Sequence, residues 1–173
     1  MGGSQGSESI NYVFLEALEQ LPGAVRSFLQ VVHLTGKMST TLVEEACAKV
    51  GVSSRAFSFF ERMDLAYGVA DFALGRAGAT FLAEAKAKKI PSILVPYPFA
   101  GGHQLLNAKA FLGDGSSMIL EQQNFSVATL RPVLERMIEE AMNKKKVKAV
   151  TTELIHLPNS RIKLMKFIEE CAG

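Results

Sequence analysis

The stretch DFALGRAGATFLAEA, residues 71–85, changes its periodicity midway, and that change decides the fold class. Asp71–Leu74 is a short apolar run of strand character, and Phe81–Lys89 predicts a helix. Between them lies RAGAT, Arg76–Thr80, whose small residues suit a turn entering a helix. A buried strand passing through such a turn into a helix is one half of a crossover unit in a parallel sheet.

The same signature recurs on either side. GGSQGS, Gly2–Ser7, precedes a helix marked by Ile10, Phe14, Leu18 and Leu21, which Pro22-Gly23 ends. PFAGGHQ, residues 98–104, follows the apolar run Pro91–Val95 and opens a helix through Leu112. Further strands are expected over Ser27–Leu34 and Arg55–Phe60, with an edge strand in SSMILEQ at 116–122. Helices are expected over Thr41–Val50, over Met63–Val69, from Ser126 as N-cap to Lys145, and after Pro158, where Leu164, Phe167 and Ile168 share a face. The alternation predicts an α/β, Rossmann-like parallel sheet with helices on both faces. The whole chain, 1–173, reads as one domain.

Composition narrows the partners. A formal charge of +2 argues against nucleic acid, and the apolar fraction of 48% fills an ordinary core. Cys47 and Cys171 stand far apart and form neither a CxxC pair nor a metal-ligand spacing, which suits two reduced thiols in a cytoplasmic protein. No metal motif and no cofactor motif is present. The sequence shows no signal peptide and no run of about 18 apolar residues, so any membrane contact is expected to be peripheral.

In sheets of this kind ligands bind at the carboxyl ends of the strands, where all three glycine-bearing loops belong. Gly2, Gly3, Ser4, Gln5 and Gly6 let a backbone approach an anion closely, with the Ser4 hydroxyl as an added donor. A purely structural glycine turn has the same composition. Gly78, Ala79 and Thr80 would form a second helix start with free N–H groups. Glu84 shares a helical face with Thr80, four residues on, where it is placed to accept ribose hydroxyls; a solvated face of an Ala/Lys-rich helix is the alternative. Arg76 suits either a phosphate partner or a structural ion pair. His103 and Gln104 project polar groups from the third helix start, while Asn107 reads as a ligand or as a loop brace.

GGSQGSESIN, FFERMDLAYGVADFALGRAGATFLAEA and IPSILVPYPFAGGHQLLNAKAFLGDGSS, in that order and spacing, resemble the C-terminal half of the MurG-type peptidoglycan N-acetylglucosaminyltransferases of the GT-B fold. The resemblance covers essentially the whole chain. It implies the donor-binding domain of an inverting enzyme, which moves GlcNAc from UDP-GlcNAc to the muramyl sugar of lipid I and so forms lipid II in peptidoglycan synthesis. It implies that Gly3, Ser4, Gln5 and Gly6 contact the donor diphosphate with Gly78, Ala79 and Thr80. Glu84 then holds the ribose, Phe60 borders the uracil, and His103 and Gln104 bind GlcNAc hydroxyls. No metal is implied, and the general base and the acceptor site belong to an N-terminal domain. A place at the cytoplasmic face of the membrane is implied for the full-length enzyme.

Gly101-Gly102 stands where the family often has acidic residues. The basic run 142–148 suits a solvated helix end better than an anionic lipid surface. Two other readings fit the same residues: a donor-binding subunit of a split GlcNAc transferase, and a non-catalytic nucleotide-sugar-binding module. The glycine turn also lacks the strand that normally leads into it. A gap of about two strand spacings, roughly 10 Å, is therefore expected in the sheet.

Overall fold

The computed structural model describes residues 7–99, 102–113 and 115–151. The expected helix after Pro158, Cys171 and the segment Gly2–Gly6 lie outside the described residues.

Along the chain run α1 (Glu8–Gln20), a single turn α2 (Gly23–Arg26), β1 (Gln30–Leu34), α3 (Thr40–Lys49), β2 (Ser53–Phe57), α4 (Met63–Val69), β3 (Ala73–Gly75), α5 (Ala79–Ala87), β4 (Ser92–Leu94), α6 (His103–Phe111), β5 (Met118–Ile119) and α7 (Val127–Thr151). The expected α/β alternation is present, and every strand pair is parallel.

Element boundaries differ from the sequence reading where local hydrogen bonds outweigh composition. Ser27 does not open a strand. Its N–H bonds back to the Gly23 carbonyl and its hydroxyl to that of Ala24, which prolongs the α2 turn and leaves Phe28 exposed. The strand there begins only at Gln30. The expected strand Arg55–Phe60 shifts to Ser53–Phe57, where it has a partner in β1. Asp71–Leu74 moves to Ala73–Gly75, in register with Ser92–Leu94. Ser126 caps α7 as expected: its Oγ accepts the Thr129 N–H at 3.4 Å, and Thr129 Oγ1 accepts the Ser126 N–H at 3.0 Å. Pro132 sits inside that helix near its start.

Among the described residues the strands form two sheets, ordered β1-β2 and β3-β4-β5. Within the second, register sorts the side chains by face. Leu74, Ile93 and Met118 are aligned across the three strands and enter a core with Leu18 of α1, Val43 of α3 and Leu130 and Leu134 of α7. The next row, Leu94 and Ile119, enters a second core with Tyr67, Phe81, Leu82 and Ala108 from α4, α5 and α6. Successive side chains of a strand point to opposite faces, so this sheet is covered on both. Ile93, Leu94 and Val95 are all fully buried, as a continuous apolar run requires.

Candidate functional site

Helices α5 and α6 both start just past the carboxyl ends of strands, β3 and β4 respectively, and pack together. The start of α1 is brought to the same end by one side chain. Arg76 follows β3, and its Nη2 donates to Ser7 Oγ at 2.8 Å and to Ser9 Oγ at 3.2 Å. Its Nη1 donates to the Val95 carbonyl beyond β4 at 3.1 Å, and its guanidinium lies 5.3 Å from the centre of the Tyr97 ring. Among the described residues Arg76 acts as a brace made by hydrogen bonds. Half-burial pulls its pKa below the ordinary arginine value.

A second tie fixes α1 against β1. Asn11 donates through Nδ2 to the Thr35 carbonyl at 3.0 Å, which leaves Oδ1 to accept from His33 Nε2 at 2.9 Å. His33 is therefore the neutral tautomer with its hydrogen on Nε2. Burial lowers its pKa to about 4. All three residues are buried, and the sequence singles out none of them, since Asn11 lies 22 positions from His33 and 24 from Thr35.

At the start of α5, Gly78 is the N-cap residue and supplies no side-chain cap. The N–H groups of Ala79 and Thr80 have no intrahelical acceptor, and both residues are exposed. No acidic residue stands in the first turn to neutralise the positive helix end. Gly78 has φ −72°, and a Cβ there would meet nothing within 4 Å, so neither strain nor internal crowding demands glycine. What remains is open space over the helix start.

One turn on, Glu84 is half-buried and accepts a hydrogen bond from the Tyr67 hydroxyl of α4 at 2.9 Å. Tyr67 is itself buried, with its ring 6.4 Å from that of Phe81. Burial, and then Glu84, raises the phenol pKa, so Tyr67 stays protonated as donor. Composition marked Met63–Val69 only as a helix; an Asp/Glu partner across a strand leaves no local signal.

Gly102 takes the left-handed conformation, φ 75°, immediately before α6. His103, the first residue of that helix, is exposed. Gln104 accepts the Tyr97 N–H on Oε1 at 3.0 Å, which commits its acceptor and not its donors. Asn107 is exposed one turn later. Phe60 lies past the carboxyl end of β2, stacked on Phe57 with centroids 4.7 Å apart, and is buried, whereas its neighbour Phe59 is 69% exposed. The structure thus brings Gly78, Ala79, Thr80, Glu84, His103 and Gln104 to one end of the sheet. Gly3, Ser4, Gln5 and Gly6 lie outside the described residues.

Residues 1–157 match the glycosyltransferase family 28 C-terminal domain. The chain belongs to this family. Among family 28 relatives, the UDP-N-acetylglucosamine–N-acetylmuramyl-(pentapeptide) pyrophosphoryl-undecaprenol N-acetylglucosamine transferase of Halothermothrix orenii is 33% identical over 178 residues, covering 99% of this chain and 47% of the relative. The enzyme of the same name from Stutzerimonas stutzeri is 35% identical over 153 residues, covering 88% and 42% respectively. The crystal structure of Acinetobacter baumannii MurG superposes with a TM-score of 0.67 at 28% identity, over 82% of this chain and 43% of that one. This family 28 chain therefore spans less than half the length of these relatives. Among the described residues no helix is long and apolar enough to cross a membrane.

Proposed function

We propose that the chain is the donor-binding domain of a MurG-type transferase, holding UDP-GlcNAc while GlcNAc passes to the muramyl sugar of lipid I. The observation that carries this reading is the start of α5. An uncapped, exposed helix end with free N–H groups at Ala79 and Thr80 stands one turn from a carboxylate held by Tyr67. A nucleoside diphosphate presents those two chemistries side by side: an anion for the helix end and vicinal hydroxyls for the carboxylate.

In the proposed reaction the acceptor hydroxyl oxygen bonds to the anomeric carbon as the bond from that carbon to the β-phosphate oxygen breaks, with inversion. UDP departs with the electron pair. Ala79 and Thr80 N–H groups offset the charge that grows on the leaving diphosphate, and Gly78 leaves room for its approach. Gly3, Ser4, Gln5 and Gly6 are assigned to the same diphosphate, His103 and Gln104 to the GlcNAc hydroxyls, and Phe60 to the edge of the uracil, with Phe59 as the accessible ring beside it. The proton of the acceptor hydroxyl goes to a base in the acceptor-binding domain, and the complete enzyme works at the cytoplasmic face of the membrane in peripheral contact with its lipid acceptor.

Isothermal titration of the 173-residue chain with UDP and with UDP-GlcNAc tests the reading. Saturable binding of both, without release of GlcNAc, is expected. No saturation by either at millimolar concentration would overturn it.

A further inference from the structure

Tyr97 lies between β4 and α6, just past Val95, and three contacts hold it. The Arg76 guanidinium stands 5.3 Å from the centre of its ring. The Phe99 ring meets it edge-on, with centroids 5.6 Å apart. Its N–H donates to Gln104 Oε1 at 3.0 Å. Phe99 is 84% exposed and takes no support from the core. Arg76 is fixed, by the Val95 carbonyl on one side and by Ser7 and Ser9 on the other. The firm end of this chain of contacts is therefore Arg76, and its other end is the Gln104 amide.

A side-chain amide carries one acceptor oxygen and two N–H donors. A backbone N–H can only donate, so Oε1 is the atom turned to Tyr97, and Nε2 is turned away from it. Among the described residues Nε2 has no acceptor. His103, beside it in the first turn of α6, is exposed and makes no hydrogen bond among the described residues. Of the two side chains assigned to GlcNAc, Gln104 is thus the one already held. An unheld glutamine samples several rotamers, and a ligand that engages it must freeze them. The Tyr97 N–H removes that cost before any ligand arrives.

We infer that Tyr97 is a positioning residue: seated against Arg76, it orients Gln104 through its own N–H, so that the amide meets a sugar hydroxyl as a donor through Nε2. The inference rests on the assignment of Gln104 to the GlcNAc hydroxyls. The role belongs to the seated ring and its peptide. The Tyr97 hydroxyl makes no hydrogen bond among the described residues, so phenylalanine should serve as well. Because the same guanidinium holds Ser7, the amide offered to the sugar shares its support with the start of α1.

The 173-residue chain is compared with Tyr97→Phe, Tyr97→Leu, Gln104→Leu and the double variant Tyr97→Leu/Gln104→Leu. Titration calorimetry reads the Kd of UDP-GlcNAc and of UDP, and amide exchange at Tyr97 is read without ligand. Gln104→Leu is expected to raise the UDP-GlcNAc Kd by about tenfold and Tyr97→Leu by about threefold, with the UDP Kd unmoved in both. Tyr97→Phe should match the parent chain. In the double variant the Tyr97 change should add nothing to the Gln104 change, because it acts through that side chain. Without ligand, Gln104→Leu should speed exchange of the Tyr97 amide by about tenfold. Equal exchange in the parent and Gln104→Leu would overturn the inference. So would equal losses of UDP and UDP-GlcNAc affinity in Tyr97→Leu, a Tyr97→Phe variant as weak as Tyr97→Leu, or two effects that multiply in the double variant. If no form binds UDP, the donor-domain reading fails, and the exchange comparison still decides whether Tyr97 holds Gln104.

Discussion

The Tyr67 hydroxyl donates to the Glu84 carboxylate at 2.9 Å, joining α4 to α5 across the top of β3. Glu84 would otherwise be an unrestrained side chain on an exposed helix. Bound to a buried phenol, it is held in one orientation, with its remaining lone pairs directed outward.

Removing the carboxylate and removing its support should differ in degree. Glu84→Ala is expected to weaken UDP binding by about tenfold or more, since hydrogen bonds to a charged group contribute about 1.5–3 kcal/mol. Tyr67→Phe should weaken it less, by about threefold, through lost orientation alone. Titration calorimetry on both variants decides. If Tyr67→Phe leaves the Kd unchanged while Glu84→Ala raises it, the phenol has no positioning role.

Gly78 separates stability from binding. With φ −72° and open space around a built Cβ, Gly78→Ala should alter unfolding free energy by no more than about 0.5 kcal/mol. The added methyl nevertheless stands where a diphosphate would approach, so the UDP Kd should rise by about tenfold. A variant that binds UDP as well as the parent chain would remove this helix start from the site.

Arg76→Lys tests the brace. A lysine retains the charge but cannot reach Ser7, Ser9 and the Val95 carbonyl from one planar group. Loss of about 2 kcal/mol in chemical denaturation is expected, with faster amide exchange at the start of α1. Lysine matching arginine in both measurements would show that charge alone suffices.

His33 makes stability sensitive to acid. Its folded pKa, about 4, lies below the unfolded value of 6.5, so the unfolded chain takes up a proton first as pH falls. The stabilisation is full above pH 6.5 and is lost progressively down to about pH 4, amounting to about 3 kcal/mol. Urea midpoints measured across that window should decline. His33→Gln, which retains an N–H for Asn11 without titrating, should flatten the decline; an unchanged slope would assign it to other groups.

The parts of the fold that a reader can take from the sequence are those decided within a few residues. The change from apolar run to glycine turn to helix at 71–89 and at 91–111 is such a signal, and both units are present. Strand limits were less legible, because a residue becomes part of a strand through its partner: Ser53 joins β2 since Gln30 lies beside it, although its own composition suggests a loop. The site was legible in its loops and not in their supports. Glu84 could be singled out from its spacing to Thr80, but Tyr67 is 17 positions away and meets it only after β3 has turned the chain back. Asn11, His33 and Thr35 form a buried network of the same long-range kind. At 60 the resemblance singles out a phenylalanine that the fold buries, and only the structure shows that the adjacent Phe59 is the accessible ring.

The two faces of β4 have a consequence for cooperativity. Ile93, with Val95 just beyond the strand, belongs to the layer of α1, α3 and α7, while Leu94 belongs to the layer of α4, α5 and α6. A strand of three residues is thus the shared boundary of two hydrophobic units. Melting either layer strips one side of β4, and the other layer then loses the surface on which it is built. Thermal unfolding should therefore proceed as one transition.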